Sequence, residues 1–429
     1  MFNIKSEKNN SNSLKHKDSE SMTSILQVLA SLFVVLFFVT SIQASPKYLP
    51  DTTGVWVGTW STAPQLVEPH NLPPQPGLSN NTIRQVVCVS IGGERLRIRF
   101  TNEFSKSPVV MKSVHIAISA EDSTIKPQTD KEILFGGEPE TTIEPGAAVT
   151  SDPIDFSVEP RTKLALTIYF GETSPDVTGH PGSRTTSFIL PGNEVSKVNF
   201  ANAVKTEHWY IINTIDVLRS DGAAAVAVLG NSITDGRGSG TNKQNRWPDE
   251  LAIRLLENSG TKNIGVLNEG IGGNCVLRNC LGPSAESRFE RDVLNQNGVR
   301  WLIILEGIND IGGIRNKEMS EKVAKGLIAA YEKMIDRAHA KGIRVFGATL
   351  TPFAGSFYDS PERQVAWKTV NEWIRHSGKF DAVIDLDAAM EDPANPMHML
   401  PVGDSGDHLH PNETGHKMMG DAVDLNLFK

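Results

Sequence analysis

The hydrophobic pattern of this chain changes period near Asp221, and one kind of layer cannot satisfy both patterns. From Val55 to about Ser220, short apolar-polar alternations are separated by Gly, Pro, Asn and Asp, with no helical pattern of useful length. Period-two runs turn one face to a core, so 51–220 is predicted to be an all-β sandwich or jelly-roll-like accessory domain. Within it, Val87, Val89 and Ile91 alternate, Gly92-Gly93 supplies a two-residue turn signal, and Leu96, Ile98 and Phe100 alternate in return. That is the pattern of a hairpin. Beyond Asp221, apolar runs at 225–229, 265–267, 301–305, 345–349 and 382–384 alternate with stretches of helical spacing, the clearest being 320–341. Such alternation predicts a doubly wound parallel sheet over 221–429.

Composition and the N-terminus limit the function classes. A body with 39% apolar and 21% charged residues is that of a soluble globular protein, and 429 residues suffice for two or three domains. The formal charge of -8 repels phosphate backbones, which excludes nucleic acid as an expected partner. A lysine-containing head, an apolar run over 25–42 and Gln43-Ala44-Ser45-Pro46 predict a signal peptide, 1–44, cleaved after Ala44. At about 18 residues the run is also at the lower limit for a membrane anchor. Either way the body is expected to be secreted, periplasmic or at the cell surface, touching a membrane only through this segment if it stays uncleaved. Export permits disulfides. Cys275 and Cys280 are close enough to close a small loop if the chain turns there, with three unpaired thiols as the alternative; Cys88 is expected to be a buried free thiol.

Four blocks follow the predicted strands. Gly230-Asn231-Ser232-Ile233-Thr234-Asp235-Gly236 comes straight after 225–229, and ligands of open α/β sheets sit beyond the carboxyl ends of strands. Asn268-Glu269-Gly270-Ile271-Gly272-Gly273-Asn274 follows the second strand, where glycines let backbone N–H groups approach a substrate oxygen. Glu306-Gly307-Ile308-Asn309-Asp310 places a side-chain amide at the same sheet edge. Near the C-terminus, Asp407-His408-Leu409-His410-Pro411 sets an Asp three residues before a His, able to orient the imidazole. Taken singly, the serine block is more often a simple turn or helix cap, and the glycine block reads also as a tight turn.

In this order the blocks resemble the SGNH (GDSL-type) hydrolase superfamily, over about 223–427. The resemblance implies a flavodoxin-like three-layer α/β/α catalytic domain and a serine esterase without metal or cofactor. Carried over residue by residue, it implies Ser232 as nucleophile, Asp407 and His410 as the remaining triad members, and Ser232, Gly273 and Asn309 as oxyanion donors. Asn231 stands where the name-giving motif often has Asp, and Gly272 is the neighbouring candidate for the Gly273 role. Val55-Trp56-Val57-Gly58-Thr59-Trp60-Ser61, Ala63-Pro64-Gln65, Arg278, Gly282-Pro283-Ser284-Ala285, Arg288-Phe289 and Asp292-Val293-Leu294 resemble the arylesterase/acylhydrolase subgroup found beside xylan-degrading enzymes. That narrower likeness implies an acylated substrate, a polysaccharide such as acetyl-xylan or a small molecule; Cys275 and Cys280 depart from its pattern of Arg and Gly. His180 and Arg184, in Gly179-His180-Pro181-Gly182-Ser183-Arg184-Thr185, are substrate-contact candidates or a surface loop. Trp247, beside Arg246, is a sugar platform or a packing residue at a helix start.

Three other readings compete. Gly403-Asp404-Ser405-Gly406-Asp407 imitates the nucleophile motif of trypsin-like proteases, but those require His and Asp upstream on two β-barrels. Asp404, Asp407, His408, His410 and His416 crowd one segment at ligand-like spacing, yet no second cluster completes a metal site and Gly273 and Asn309 would be left without a role. A non-catalytic glycan-binding protein would be favoured only if a triad member were missing.

Overall fold

The computed structural model describes residues 54–429; the expected signal segment and its membrane-anchor alternative lie outside the described residues. Among the described residues no helix is long and apolar enough to cross a membrane.

The first half builds two large antiparallel sheets around one apolar core that includes Ile83, Leu96, Phe100, Leu164, Ile168 and Val217, with a small third sheet of Trp209–Tyr210, Thr178–His180 and Gln65–Leu66 beside them. One sheet runs in the order Val55–Ser61, Ile212–Arg219, Gly93–Thr101, Ile154–Val158. The other centres on Ser187–Pro191, Asn81–Cys88, Lys163–Phe170 and Val109–Glu121. The predicted hairpin does not form. Its two strands lie in different sheets: Cys88 pairs with Lys163, while Gly93 pairs with Val158. A primed two-residue turn needs glycine at positive φ, and neither Gly92 nor Gly93 has it. A Cβ on Gly92 would stand 2.3 Å from the Val158 carbonyl oxygen, and one on Gly93 2.9 Å from Val217 Cβ. The glycine pair therefore serves close packing where the chain crosses between sheets.

The second half is a five-stranded parallel sheet in the order Ile264–Gly270, Ala224–Gly230, Val299–Leu305, Arg344–Ala348, Ala382–Ile384. In chain order this is 2-1-3-4-5, the flavodoxin-like arrangement, with its switch point beside the first strand. Every residue of Ala224–Gly230 is buried, as parallel strands covered on both faces require. The helix predicted over 320–341 spans Lys317–His339. It starts earlier because the Asn316 side chain accepts the Met319 N–H at 2.9 Å and caps it. Ser320, Ala324, Leu327, Tyr331, Met334 and Ala338 form its buried stripe.

The β layers and the parallel sheet pack as one compact unit. A Cβ on Gly265 would lie 2.3 Å from the Gly58 carbonyl oxygen, so the strands Val55–Ser61 and Ile264–Gly270 approach backbone to backbone. The Val266 N–H, on the outer edge of the parallel sheet, donates to Ser90 Oγ at 2.9 Å. Ala225 and Leu267 belong to the same apolar cluster as the β sandwich.

Candidate active site

Ser232 sits at the first position of a one-turn helix, Ser232–Asp235, directly beyond the strand Ala224–Gly230. Asn231 caps the turn, its side-chain oxygen accepting the Ile233 N–H at 3.1 Å, and Gly236 at φ 108° ends it. At the start of a helix the Ser232 N–H has no intrahelical acceptor and points outward. A Cβ on Gly230 would stand 2.1 Å from Thr234 Oγ1, so only glycine permits so tight an exit from the strand.

The C-terminal block meets this turn from the other side of the sequence. Ser232 Oγ lies 2.8 Å from His410 Nε2, and His410 Nδ1 lies 2.7 Å from Asp407 Oδ2. Asp407 Oδ1 accepts the backbone N–H groups of Leu409 and His410 at 3.0 and 2.8 Å. Burial opposes the Asp407 charge, but the bonds from His410 outweigh it and hold the carboxyl down at about 2. Burial also lowers His410; Asp407 pulls it up, while Arg237 and Arg184 push it down, and the net shift is downward. At neutral pH the imidazole is thus neutral, its Nδ1–H on Asp407 and its Nε2 free to accept the serine proton.

Gly273 adopts φ 68°, and a Cβ there would come within 2.8 Å of Leu281 Cδ1. Its N–H has no protein acceptor among the described residues. Asn309 lies on the short helix Ile308–Gly312, beyond the strand Val299–Leu305. Its Nδ2 donates to the Asn274 carbonyl oxygen at 2.7 Å, and its Oδ1 accepts the Tyr358 hydroxyl at 3.0 Å. The next residue, Asp310, accepts the N–H groups of Val276 and Leu277 at 2.7 and 3.1 Å. These bonds lock the glycine loop to the asparagine helix. Cys275 and Cys280 are disulfide-bonded with Cα atoms 5.6 Å apart, closing the same loop; Cys88 is a buried free thiol.

Beneath the surface lies a polar network that sequence reasoning did not identify. Arg288, fully buried, donates to the carbonyl oxygens of Glu269 and Gly230, to Asn274 Oδ1 and to Asp292. Glu306 accepts the Gly307 N–H at 3.0 Å and faces Asn231 Nδ2 at 3.4 Å; burial raises its carboxyl to about 8. Glu269 is likewise pushed up by burial, then by Asp292, and takes the Ser61 hydroxyl at 2.5 Å. All these residues stand in or next to the quoted blocks, yet their partners are remote in sequence. Tyr358 lies in a loop whose residue types carry no signal.

The other candidates go elsewhere. His180 is buried behind the serine turn with both ring nitrogens occupied, by the Ala63 carbonyl at 2.9 Å and Asp235 Oδ1 at 2.9 Å. It has no free polar atom for a substrate. Arg184 Nη2 lies 3.9 Å from Asp235 Oδ2, with its side chain partly exposed. Trp247 is 0% exposed and donates Nε1–H to Thr234 Oγ1 at 3.3 Å, so it packs the helix start and presents no face to a sugar. Ser405 is exposed, its hydroxyl on Asp407 Oδ1. The His-rich segment also disperses. His408 pairs outward with Asp404 at 2.6 Å, whereas His416 is buried, bonded to Trp247 N–H and the Arg237 carbonyl, and lowered by burial to about 4. Among the described residues no group of three or more His, Cys, Asp or Glu could hold a metal ion.

Comparison with known proteins bears on the same half of the chain. The GDSL-like lipase/acylhydrolase family model matches residues 228–418. A search of curated proteins found no match. Among solved structures, a catalytic mutant of an acetylxylan esterase from Geobacillus stearothermophilus is 19% identical, the match covering 47% of this chain and 93% of that one at a TM-score of 0.36. A GDSL-like lipase from Bacteroides thetaiotaomicron is 20% identical, over 46% of this chain and 84% of that one, at 0.32.

Proposed function

Residues 228–418 belong to the GDSL-like lipase/acylhydrolase family, within the SGNH hydrolase superfamily, and from that premise we propose an exported serine esterase that removes acyl groups, acetyl groups of a plant polysaccharide such as acetyl-xylan in particular. The observation that carries the reading is the unbroken path from Ser232 Oγ through His410 to Asp407, at 2.8 and 2.7 Å. In the proposed reaction His410 takes the hydroxyl proton as Ser232 Oγ attacks the ester carbonyl. The Ser232 and Gly273 N–H groups and the Asn309 amide receive the developing oxyanion; loss of one such donor costs ~3 kcal/mol in the transition state. Imidazolium His410, stabilised by Asp407, then protonates the departing alcohol. Water, deprotonated by the same imidazole, releases the acyl group from Ser232.

The polysaccharide assignment draws on the subgroup motifs around Val55–Ser61 and Arg288. The Cys275–Cys280 disulfide suits an oxidising compartment, in keeping with export. A second reading, an arylesterase or lipase-type esterase for non-carbohydrate esters, is favoured by one feature. Leu281 and Phe357 are 50% and 68% exposed on the loops that carry the contacts to Gly273 and Asn309. Acetate release from acetylated xylan and hydrolysis of a short aryl acetate, by wild type and Ser232→Ala with and without chelator, separate these. Activity on both substrates, abolished in the variant and indifferent to chelator, is the expected result. Turnover of the aryl acetate alone sinks the xylan assignment, and chelator-sensitive activity surviving in Ser232→Ala sinks the serine mechanism.

A further inference from the structure

Asn309 is held from two sides, and the two contacts differ in kind. The Asn274 carbonyl oxygen, 2.7 Å from Nδ2, can only accept, so it requires the nitrogen of the amide on its side. The second Nδ2 hydrogen remains available. On the opposite side the Tyr358 hydroxyl lies 3.0 Å from Oδ1 and supplies it with a proton. We propose that Tyr358 is a positioning residue for the oxyanion site: it anchors Asn309 Oδ1 so that the spare Nδ2–H is presented, already oriented, to the charge that develops on the substrate oxygen.

The phenol is itself tightly seated. Asn309 and Gly312 lie three residues apart on one face of the helix Ile308–Gly312, and the Tyr358 ring lies over Gly312. A Cβ on Gly312 would come within 2.4 Å of Tyr358 Cζ. The Tyr358 N–H donates to Ser356 Oγ at 3.1 Å, and its carbonyl accepts from Arg363 Nη1 at 3.0 Å. Arg363 Nε reaches on to the Ile314 carbonyl at 3.0 Å, tying the tyrosine loop to the chain just after the asparagine helix. Preorganisation of this sort raises turnover without tightening ground-state binding, because the amide's partner exists only in the transition state.

The kinetic arm of the test rests on the esterase reading above; the structural arm does not. On a short aryl acetate, Tyr358→Phe, which keeps the ring on Gly312 and removes only the hydroxyl, is expected to lower kcat about tenfold, or about 1.4 kcal/mol, with KM within about twofold. Gly312→Ala, which displaces the ring, should do the same. In an Asn309→Ala background Tyr358→Phe should cost nothing further, since the two residues act as a unit. An unchanged kcat in Tyr358→Phe, or an additive loss on top of Asn309→Ala, overturns the proposal. Crystal structures of wild type and Tyr358→Phe give a reading independent of turnover. A single amide orientation in the wild type and a rotated or split Asn309 in the variant support it; an Asn309 that stays in place counts against it. A wild type without Ser232-dependent hydrolysis would instead remove the esterase reading, leaving these structures to decide the tether.

Discussion

Arg288 Nη2 donates to the Gly230 carbonyl oxygen at 3.1 Å, so a buried guanidinium holds the last residue of the strand that delivers Ser232. Through its other donors the same group reaches Glu269, Asn274 and Asp292. Arg288→Met is expected to lose about 4 kcal/mol of stability, because Asp292 is left with Arg291 alone and Asn274 loses its donor. Arg288→Lys should recover little of it, since a single ammonium cannot span four acceptors. Urea unfolding of the three proteins checks this; a Lys variant as stable as wild type would show that charge, and not the fork, matters.

The triad geometry dictates a pH profile. The proposed base must be neutral, and burial together with Arg237 and Arg184 places His410 below the usual imidazole range. Activity should therefore fall on the acid side with a midpoint below about 6.5. Replacing Arg237, whose Nε lies 4.0 Å from Asp407 Oδ2, by Gln removes a cation and should move the midpoint upward. Asp407→Asn should lower kcat by about 10⁴, as loss of the tautomer-holding carboxylate does elsewhere. Profiles of kcat and kcat/KM for each variant read all three; a midpoint that drops in Arg237→Gln would contradict the electrostatics.

Glu306 predicts the opposite limb, in stability instead of activity. Burial raises its carboxyl from the ordinary value to about 8, so folding takes up a proton. Its contribution is complete below about pH 4.5 and is lost as pH rises towards 8. Glu306→Gln should flatten this decline, and only in part, because buried Glu269 contributes a slope of the same sign. Unfolding free energies at pH 5, 7 and 9 test the difference; parallel curves for wild type and variant would mean that Glu306 is already ionised at neutral pH.

What could be read beforehand followed from local rules. A strand covered on both faces must be apolar, which makes Ala224–Gly230 and the buried stretch 301–305 visible as runs, and the reactive side chains cluster where those runs stop. The same glycine signal misled at Gly92-Gly93, because a pair without side chains serves a turn or a close approach equally well and only the partner across the gap decides. His180 and Trp247 were visible as residue types, but not the Asp235 and Thr234 atoms that occupy them. Glu306 with Asn231 and Tyr358 with Asn309 are pairings over 75 and 49 residues, set by where the sheet order brings two loop tips together.

The contact between Ser90 Oγ and the Val266 N–H bears on how this enzyme could be handled. Strand Ile264–Gly270 is one of the two edge strands of the parallel sheet, and its rim lies against the β half, where Gly265 meets Gly58 and Val266 meets Ser90. A fragment starting near residue 221 would bare that rim along with Leu267 and the apolar side of Ala225. Unpaired backbone groups beside an apolar strip are a template for another chain. The amino-terminal half thus covers an edge that the parallel sheet would otherwise leave open, and a trimmed fragment should be expected to associate through it and precipitate.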